Sequence, residues 1–408
     1  MRKVDVLIAR QAIFDRDRKV YGYELLYRSN AASSGFDGTD ADAATMQVLS
    51  NTLMSIGAEK VLRGKKAFVN FDQRLLRQQM HLTLPRESIV IEILETVTPT
   101  ADLVAMCQSI TRQGYSLALD DFTNEPAWEP LTRIAGVIKV DMRLSSREQQ
   151  ECMLRTYKPR GMVMLAEKVE TYAEFDWARR AGYDLFQGYF FARPVLVHSN
   201  HIPAVKTSCL RLLREVQQSD VDFERVGEFL RQDVALTYKL LRYVNSAMFG
   251  RRTEIQSISR ALMVLGEDGI RRWVALATLP MLATDKTTEL LTLSLQRARF
   301  CERLAELAQA MRPSQAFLMG MFSLLDALID QPLEEALHSV DLGPEITEAL
   351  LGIAPDGSFL GRLHELVQCY EQADWDAVGR LSQGCGISFL QTGAAYLDST
   401  AWAEEIVR

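Results

Sequence analysis

The sequence predicts a two-domain α/β protein, in which a closed (β/α)8 barrel of the TIM type is followed by an all-α domain. Two observations support this prediction. Up to about residue 194, short runs rich in β-branched residues alternate with amphipathic stretches, which is the pattern of a parallel sheet with crossover helices. After Pro194 the apolar residues recur only at helical spacing. A chain of 408 residues is long enough for two such domains.

Eight runs in the first part of the chain are predicted strands. They are VDVLIAR, VYGYELLYR, KAFVNFD, SIVIEIL, YSLALDD, GVIKVD, GMVMLAE and YDLFQGYFF. Amphipathic stretches at 101–113, 145–156 and 171–182 separate the later runs, and eight strands in this arrangement suggest a closed barrel. Only the turn-like DRDRK separates the first two runs. Because this connection is too short for a crossover helix, the first strand is predicted to pair antiparallel with the second.

The second part of the chain is predicted to contain helices alone. Helical stretches include VKTSCLRLLREVQ, DFERVGEFLRQ, VALTYKLLRYVNSAM and GIRRWVALATLPML. Glycines and prolines such as Gly266, Pro313 and Pro332 separate the stretches. The predicted organisation is therefore a barrel domain at 1–194, a linker at 195–203 and a helical domain at 204–408.

The composition excludes several classes of protein. The net charge is −7 with acidic and basic residues interspersed, which argues against direct nucleic-acid binding over a broad surface. Six cysteines occur singly, without a CxxC pair, as expected for reduced thiols in the cytoplasm. The first apolar run is too short for a signal peptide, and no apolar run is long enough to insert into a membrane.

Polar residues stand at the ends of the predicted strands, where a buried strand is usually apolar. They are Glu24, Asn70, Glu92, Asp120, Asp121, Lys139, Asp141, Glu167, Glu170 and Gln187. The strand ends of a barrel meet at one mouth, so these groups are expected to share a cavity. Carboxylates crowded together repel one another, and Mg²⁺ or Mn²⁺ bound by their oxygens relieves that repulsion. Any one of these residues alone would more often be structural, but the set indicates a site that could activate water on a phosphodiester.

Seven motifs in order carry a resemblance to a known family. They are GYELLYR (22–28), VNF (69–71), IEILE (91–95), LDDF (119–122), IKVD (138–141), AEKVE (166–170) and FQGYFFARP (186–194). This series resembles the EAL domain, a family of cyclic di-GMP phosphodiesterases and their inactive, ligand-sensing relatives. The resemblance covers residues 1–194 and implies a TIM-like barrel with an antiparallel first strand.

The resemblance also implies roles for individual residues. The metal ligands would be Glu24, Asn70, Glu92 and Asp120 for one ion, with Asp120, Asp121 and Glu167 for the second, and the ion would be Mg²⁺ or Mn²⁺. Lys139 would position the attacking water, supported by Glu170 and Gln187. Arg28 would meet the substrate phosphate, a group that guanidinium binds in bidentate fashion. Glu95 would brace the loop that follows the aspartate pair.

This chain departs from the family pattern at three places. The loop after the aspartate pair is DDFTNEPAWEP, without the family's glycines, which permit positive φ. Lys168 stands where the family usually has glycine, and the segment between Arg28 and Asn70 is short and lacks an apolar wall for guanine. These departures predict a degenerate barrel that acts as a sensor or scaffold with turnover reduced at least about a hundredfold. Two alternatives stay open: an active phosphodiesterase that converts cyclic di-GMP to linear pGpG, and an acidic mouth that binds nothing.

The helical half resembles the HDOD family in the run from Leu230 to Gly266, which contains DVALT, RYVNS and a helix ending in Leu-Gly. That family is related to HD-type metal phosphohydrolases, which need a His-Asp dyad, and this chain has no His-Asp dipeptide. Asp326, at the place of the dyad, is expected to be a packing or capping residue. The domain is therefore predicted to hold no cofactor. Arg242, Asn245 and Ser246 are interpreted as structural anchors of a helix junction.

An EAL barrel followed by an HDOD domain resembles the YuxH/CdgJ-like bacterial signalling proteins over nearly the full length. That resemblance implies a role in the cyclic di-GMP network that controls motility and biofilm formation. It also implies a protein partner, bound through the HDOD domain or the domain junction. Trp128, in the loop without glycine, is predicted to be an exposed anchor for a helical partner, or else a lid folded over the barrel.

Overall fold

The computed structural model describes residues 6–29, 62, 64–194, 204–218, 220–246 and 255–407. The predicted linker at 195–203 and most of the short segment between Arg28 and Asn70 lie outside these residues. None of the six cysteines forms a disulfide bond. Within the described ranges, no helix combines the length and the apolar character needed to cross a bilayer.

Eight strands close into a barrel in sequential order. They are β1 (Val6–Asp15), β2 (Val20–Ser29), β3 (Lys66–Phe71), β4 (Ile89–Ile93), β5 (Ser116–Leu119), β6 (Val137–Asp141), β7 (Val163–Glu167) and β8 (Leu185–Gln187). Strand β1 pairs antiparallel with both β2 and β8, whereas the pairs from β2 to β8 are parallel. The predicted barrel and its antiparallel opening are therefore confirmed.

Four of the five helices that the structure describes beside the barrel strands begin at a capping side chain. The five helices are α1 (Gln73–Arg77), α2 (Ala101–Arg112), α3 (Glu129–Thr132), α4 (Arg147–Tyr157) and α5 (Tyr172–Ala181). Ser146 caps α4 and exchanges hydrogen bonds with Gln149, and Thr171 caps α5 in the same way with Glu174. These capping boxes satisfy amide groups that the first helical turn leaves free. The three predicted amphipathic stretches coincide with α2, α4 and α5.

The rest of the described chain is helical, as predicted. The helices are α6 (Ala204–Val216), α7 (Phe223–Arg231), α8 (Val234–Val244), α9 (Ile258–Leu282), α10 (Thr288–Leu307), α11 (Pro313–Phe322), α12 (Leu325–Ile329), α13 (Leu333–Val340), α14 (Pro344–Leu351), α15 (Phe359–Glu371), α16 (Trp375–Gly384) and α17 (Phe389–Val407). Helix α9 is interrupted at Gly266, whose φ of 65° lies outside the helical region. This glycine ends the Leu-Gly motif, where the sequence predicted a break.

The chain divides into two compact units, and each unit is built from segments that are separated in the sequence. The first unit combines the barrel with Gln368–Gln383 and Ser388–Glu404, and the second contains Pro194–Val367 with two short pieces. The predicted domain boundaries differ from these units, since the sequence assigned all residues from 204 to 408 to one helical domain. Helices α16 and most of α17 instead pack with the barrel.

Specific polar contacts join the C-terminal part of this first unit, which begins at Gln368 near the end of α15, to the first barrel strand. The Tyr370 hydroxyl donates a hydrogen bond to the Ile8 carbonyl at 3.1 Å. Arg10 forms an ion pair with Glu404, and both side chains are almost fully buried. The Arg10 guanidinium also lies over the Tyr23 ring, 4.4 Å from its centroid. The C-terminal helices are therefore an integral layer of the barrel unit.

Candidate functional site

The interior of the barrel is built in layers that follow from the alternation of side chains along a strand. An apolar layer contains Ile13, Phe68, Val90, Ala118, Val137, Leu165 and Leu185. The polar residues Asn70, Glu92, Asp120, Lys139, Glu167 and Gln187 each stand two positions after a member of this layer. Because residues i and i+2 face the same side of a strand, the six polar side chains point into the same mouth above an apolar floor.

Lys139 lies at the centre of this polar layer. Its Nζ is 2.8 Å from Glu92 Oε1, 2.7 Å from Asp120 Oδ1 and 2.9 Å from Glu167 Oε1. Glu24 Oε2 lies slightly farther away, at 3.5 Å. The Lys139 side chain is 1% exposed and that of Glu92 is not exposed. Four carboxylates from different strands therefore converge on one buried ammonium group.

Burial and this ammonium group set opposite pKa shifts within the cluster. Burial alone would raise the pKa of Glu24, but the Lys139 charge and hydrogen bonds from Gln187 and Asn70 lower it. Burial raises the pKa of Glu92 well above its usual range and that of Glu167 to about 8, despite the Lys139 charge. The pKa of Lys139 is raised, because its carboxylate neighbours outweigh its burial. One lysine therefore does not neutralise the whole cluster.

Amide side chains complete the polar layer. Asn70 Nδ2 donates to Glu24 Oε1 at 3.0 Å, and Gln187 Nε2 donates to Glu24 Oε2 at 2.6 Å and to Gln11 Oε1 at 2.8 Å. Gln11, on the antiparallel strand β1, was not predicted to belong to the site. In the sequence it is noticeable only as a polar residue within an apolar run. The structure thus brings Glu24, Asn70, Glu92, Asp120, Glu167, Lys139 and Gln187 together.

Several buried oxygens of this layer are suited to a hard cation. Asn70 Oδ1, Glu92 Oε2, Glu167 Oε2 and Gln187 Oε1 accept no hydrogen bond from any described residue. Carboxylate and amide oxygens are the ligands that Mg²⁺ and Mn²⁺ prefer. Among the described residues, no group of three or more His, Cys, Asp or Glu side chains is arranged to hold a metal ion, and the Lys139 ammonium lies among the acids. The oxygen donors therefore fit a divalent cation by their chemistry, but not by their arrangement around this ammonium group.

A second pair of charged residues, Lys168 and Asp141, lies beside the cluster around Lys139. Lys168 forms an ion pair with Asp141, whose side chain is 2% exposed. Asp141 also accepts hydrogen bonds from the Arg143 and Leu144 amides, at 2.7 Å and 3.2 Å. Burial and the neighbouring Asp120 raise the pKa of Asp121, and the Lys168 charge opposes that rise. The pairing of Lys168 with Asp141 was not predicted from the sequence.

Three predicted site residues lie away from the cluster. The Glu170 carboxylate pairs with Arg193 at 3.1 Å and with Arg143 at 3.6 Å. Glu95 is exposed, and its side chain makes no hydrogen bond or ion pair within the described part of the chain. Arg28 is partly exposed and pairs with Asp376 on α16, at 2.9 Å. The roles predicted for these three residues stay predictions.

The loop after the aspartate pair adopts left-handed backbone geometry without glycine. Asp121 has a φ of 39° and Asn124 a φ of 64°, and Asp and Asn tolerate this region better than other non-glycine residues. The Asn124 side chain accepts a hydrogen bond from the Tyr157 hydroxyl at 2.6 Å, which fixes the turn. This loop therefore contains two residues at positive φ although it has no glycine.

Trp128 is not an exposed anchor. It lies in the 3-10 turn Pro126–Trp128 that leads into α3, and it is only 8% exposed. The apolar side chain is buried because its transfer from water is favourable and the barrel unit provides the space. The prediction that Trp128 is an exposed docking residue is wrong. Its burial agrees with the alternative prediction, in which the side chain folds onto the barrel.

In the helical unit, Asn245, which was predicted to be a structural anchor, makes two hydrogen bonds to the backbone of Ile255. Asn245 Nδ2 donates to the Ile255 carbonyl and the Ile255 amide donates to Asn245 Oδ1, both at 2.8 Å. This pair of bonds connects the end of α8 to the segment before α9. Asp326 is in the first turn of α12. Of the histidines described in this unit, His364 is buried with Nδ1 3.1 Å from the Ala349 carbonyl, and His338 is exposed.

Comparisons with known proteins agree with this architecture. The model of the EAL domain matches residues 8–194, and the model of the HDOD domain matches residues 202–331. The chain is 37% identical to "Cyclic di-GMP phosphodiesterase CdgJ" of Vibrio cholerae serotype O1 over 404 residues, which are 98% of this chain and 93% of that protein. It is 34% identical to YuxH of Bacillus subtilis strain 168, covering 98% of this chain and 99% of that protein.

Solved structures resemble the barrel part of the chain. A standalone EAL protein of Vibrio cholerae O395, in its c-di-GMP-bound form, is 24% identical, with 47% of this chain and 93% of that chain covered and a TM-score of 0.38. The manganese and cyclic di-GMP complex of BlrP1 from Klebsiella pneumoniae is 22% identical, with 46% and 55% covered and a TM-score of 0.37. With its two domain matches and its full-length relatives, the chain belongs to the family of proteins in which an EAL domain is followed by an HDOD domain.

Proposed function

We propose that the barrel binds cyclic di-GMP at its acidic mouth together with Mg²⁺ or Mn²⁺, and hydrolyses it to linear pGpG. The observation that carries this proposal is the convergence of Glu24, Glu92, Asp120 and Glu167 on one buried lysine, with amide oxygens left available beside them. A full-length relative that is named a cyclic di-GMP phosphodiesterase adds support.

Each residue of the layer has a role in this reaction. A divalent cation bound by Glu24, Asn70, Glu92 and Asp120, with Asp121 and Glu167 near a second position, would lower the pKa of a water molecule and stabilise phosphate charge. Lys139, positively charged between the acids, would orient that water and neutralise charge that develops during attack. Gln187 fixes the Glu24 carboxylate through its 2.6 Å hydrogen bond. Arg28 would bind a phosphate after exchanging Asp376 for it.

The test is chromatography of the products formed from cyclic di-GMP by the purified full-length protein in Mn²⁺ buffer. We expect pGpG at catalytic enzyme concentration, and loss of at least about a hundredfold in rate for Glu92→Gln, because one carboxylate ligand is removed. Glu151→Gln, on the outer helix α4, is the matched control and should leave the rate unchanged. If the unsubstituted protein forms no pGpG with Mg²⁺ or Mn²⁺, the hydrolytic proposal is wrong.

A second candidate is a degenerate barrel that binds cyclic di-GMP without turnover and acts as a sensor. The ion pair between Lys168 and Asp141 favours it, because a fixed cation beside Asp121 weakens the attraction for a second metal ion. The glycine-free loop favours it as well. Binding of cyclic di-GMP by calorimetry, with no pGpG formed over hours, would support this candidate over the first.

We further propose that the HDOD domain transmits the state of the barrel to a protein partner and that the pathway controls motility and biofilm formation. Val234 and Tyr238 are one helical turn apart on α8 and are 83% and 64% exposed, so they form an apolar face that a partner could cover. Val234→Glu with Tyr238→Glu should abolish the effect of the protein on swimming while pGpG formation continues. An unchanged swimming phenotype would contradict this output route.

A further inference from the structure

The C-terminal segment places an aromatic ring beside the acidic mouth. A cavity of about 270 Å³ is lined by Leu25, Leu26, Tyr27, Asn70, Asp72, Leu75, Leu94, Ala373 and Trp375. All of these residues belong to the same compact unit. Most of the wall is therefore formed by barrel strands and α1, and one side is formed by residues about 300 positions later in the chain.

The Trp375 ring is fixed in position. It is half-buried and packs edge-to-face on Tyr370, with the ring centroids 5.3 Å apart. Tyr370 is in turn held by its hydrogen bond to the Ile8 carbonyl on β1. An aromatic side chain that is fixed by packing offers a flat surface at little entropic cost when a ligand stacks on it.

The surroundings of the cavity match the parts of a dinucleotide. Asn70 lines the cavity and also donates to Glu24, so the cavity borders the acid cluster directly. Arg28 follows Leu26 and Tyr27 on β2 and pairs with Asp376, the neighbour of Trp375. A base stacked in the cavity would thus have a guanidinium near its phosphate and the acid cluster near the scissile bond. The cavity volume of about 270 Å³ equals that of about nine water molecules at about 30 Å³ each. We take this to be enough space for one purine base.

We propose that Trp375 is the stacking wall for one guanine base of cyclic di-GMP and that the C-terminal segment thereby completes the binding site of the barrel. This inference rests on the proposed function. It would supply the apolar wall for guanine that the segment between Arg28 and Asn70 is predicted to lack. Base–aromatic stacking is sequence-tolerant and strong enough to supply such a wall.

The test is calorimetric titration of the full-length protein with cyclic di-GMP in Ca²⁺ buffer, with chromatography to check that the ligand stays intact. Trp375→Ala should weaken binding about tenfold to a hundredfold, the range expected when one stacked base loses its aromatic partner. Trp375→Phe should lose less than about fivefold, because it keeps an aromatic face. Trp177→Phe is the matched control: Trp177 is also half-buried in the barrel unit but stacks on Arg147, at 3.5 Å.

The outcomes separate this inference from the function on which it rests. If the unsubstituted protein binds cyclic di-GMP and Trp375→Ala binds it equally well, the stacking wall is wrong and the proposed function stands. If the unsubstituted protein does not bind the dinucleotide, both fail. If Trp375→Ala does not fold, the affinities of Trp375→Phe and Trp375→Leu for cyclic di-GMP are compared instead. These two side chains have similar volumes, but only phenylalanine offers an aromatic face. The inference then requires that the leucine variant, not the phenylalanine variant, loses affinity.

Discussion

Lys168 combines a strained backbone with a charge in the acidic mouth. Its φ is 54°, in the region that favours glycine, and a non-glycine residue there costs about 1 kcal/mol or more. Its ammonium pairs with the buried Asp141, and this hydrogen bond is the main reason that the pKa of Lys168 is raised. Such strain persists where the surrounding contacts over-determine the conformation, and here the ion pair supplies them.

The first prediction separates the two effects of Lys168. Lys168→Ala and Lys168→Gly both remove the charge, so both should bind Mn²⁺ more tightly than the unsubstituted protein in calorimetric titration, by about tenfold. Only the glycine variant also relieves the positive φ, so its unfolding free energy should exceed that of the alanine variant by about 1 kcal/mol. Equal stabilities for the two variants would show that the backbone is not strained at this residue.

His364 makes the helical unit sensitive to acid. Burial and the Arg297 charge lower the pKa of His364 to about 4, from an ordinary value of 6.5 in the unfolded chain. Between these values the unfolded chain binds a proton that the folded chain does not, so stability falls as the pH falls below 6.5. The second prediction is a loss of about 2 kcal/mol in unfolding free energy from pH 7 to pH 5 through this residue.

His364→Gln should remove that part of the pH dependence in denaturant titrations at the two pH values. His338→Gln, which changes an exposed histidine on α13, is the control and should keep the full dependence. A His364 variant that loses as much stability at pH 5 as the unsubstituted protein would contradict the assignment.

Close packing of two helices depends on one glycine in the second unit. A Cβ atom on Gly320 of α11 would lie 2.3 Å from the Arg297 carbonyl oxygen on α10, which is far inside van der Waals contact. The third prediction is that Gly320→Ala lowers the unfolding free energy by about 3 kcal/mol, because the helices must separate. Gly379→Ala is the control. Apart from its chain neighbours and the backbone of its own helix, no described atom lies within 4 Å of its added methyl group, so in the interior of α16 it should stabilise by about 0.5–1 kcal/mol.

At the scale of elements, the strands and the polar layer could be predicted because both depend on local alternation. Residues such as Glu92 and Glu167 stand two positions after an apolar residue of the same strand, and that spacing alone directs them to the same face. The left-handed residues Asp121 and Asn124 could not be predicted in this way. Their conformation depends on contacts such as the hydrogen bond from Tyr157, which no local pattern reveals.

At the scale of the whole molecule, the sequence predicted two domains in order, but the compact units are not contiguous. The helical periodicity of α16 and α17 is visible in the sequence, whereas the surface that each helix covers is not. The contact from Tyr370 to Ile8 spans 362 positions, and such a pairing has no signal in either segment alone. For the same reason, Trp375 was missed as a neighbour of Asn70.

The last prediction tests whether the C-terminal helix stabilises the barrel. The side chains of Arg10 and Glu404 are 4% and 3% exposed, so removing one partner leaves a buried charge that is costly. Glu404→Leu should therefore lower the unfolding free energy by about 3 kcal/mol and speed hydrogen exchange in β1. Asp376→Asn is the control. The Asp376 side chain is 82% exposed and that of its partner Arg28 is 44% exposed, so loss of this ion pair should change the unfolding free energy by less than about 1 kcal/mol. Unchanged exchange in β1 of the Glu404 variant would mean that α17 is dispensable for the barrel.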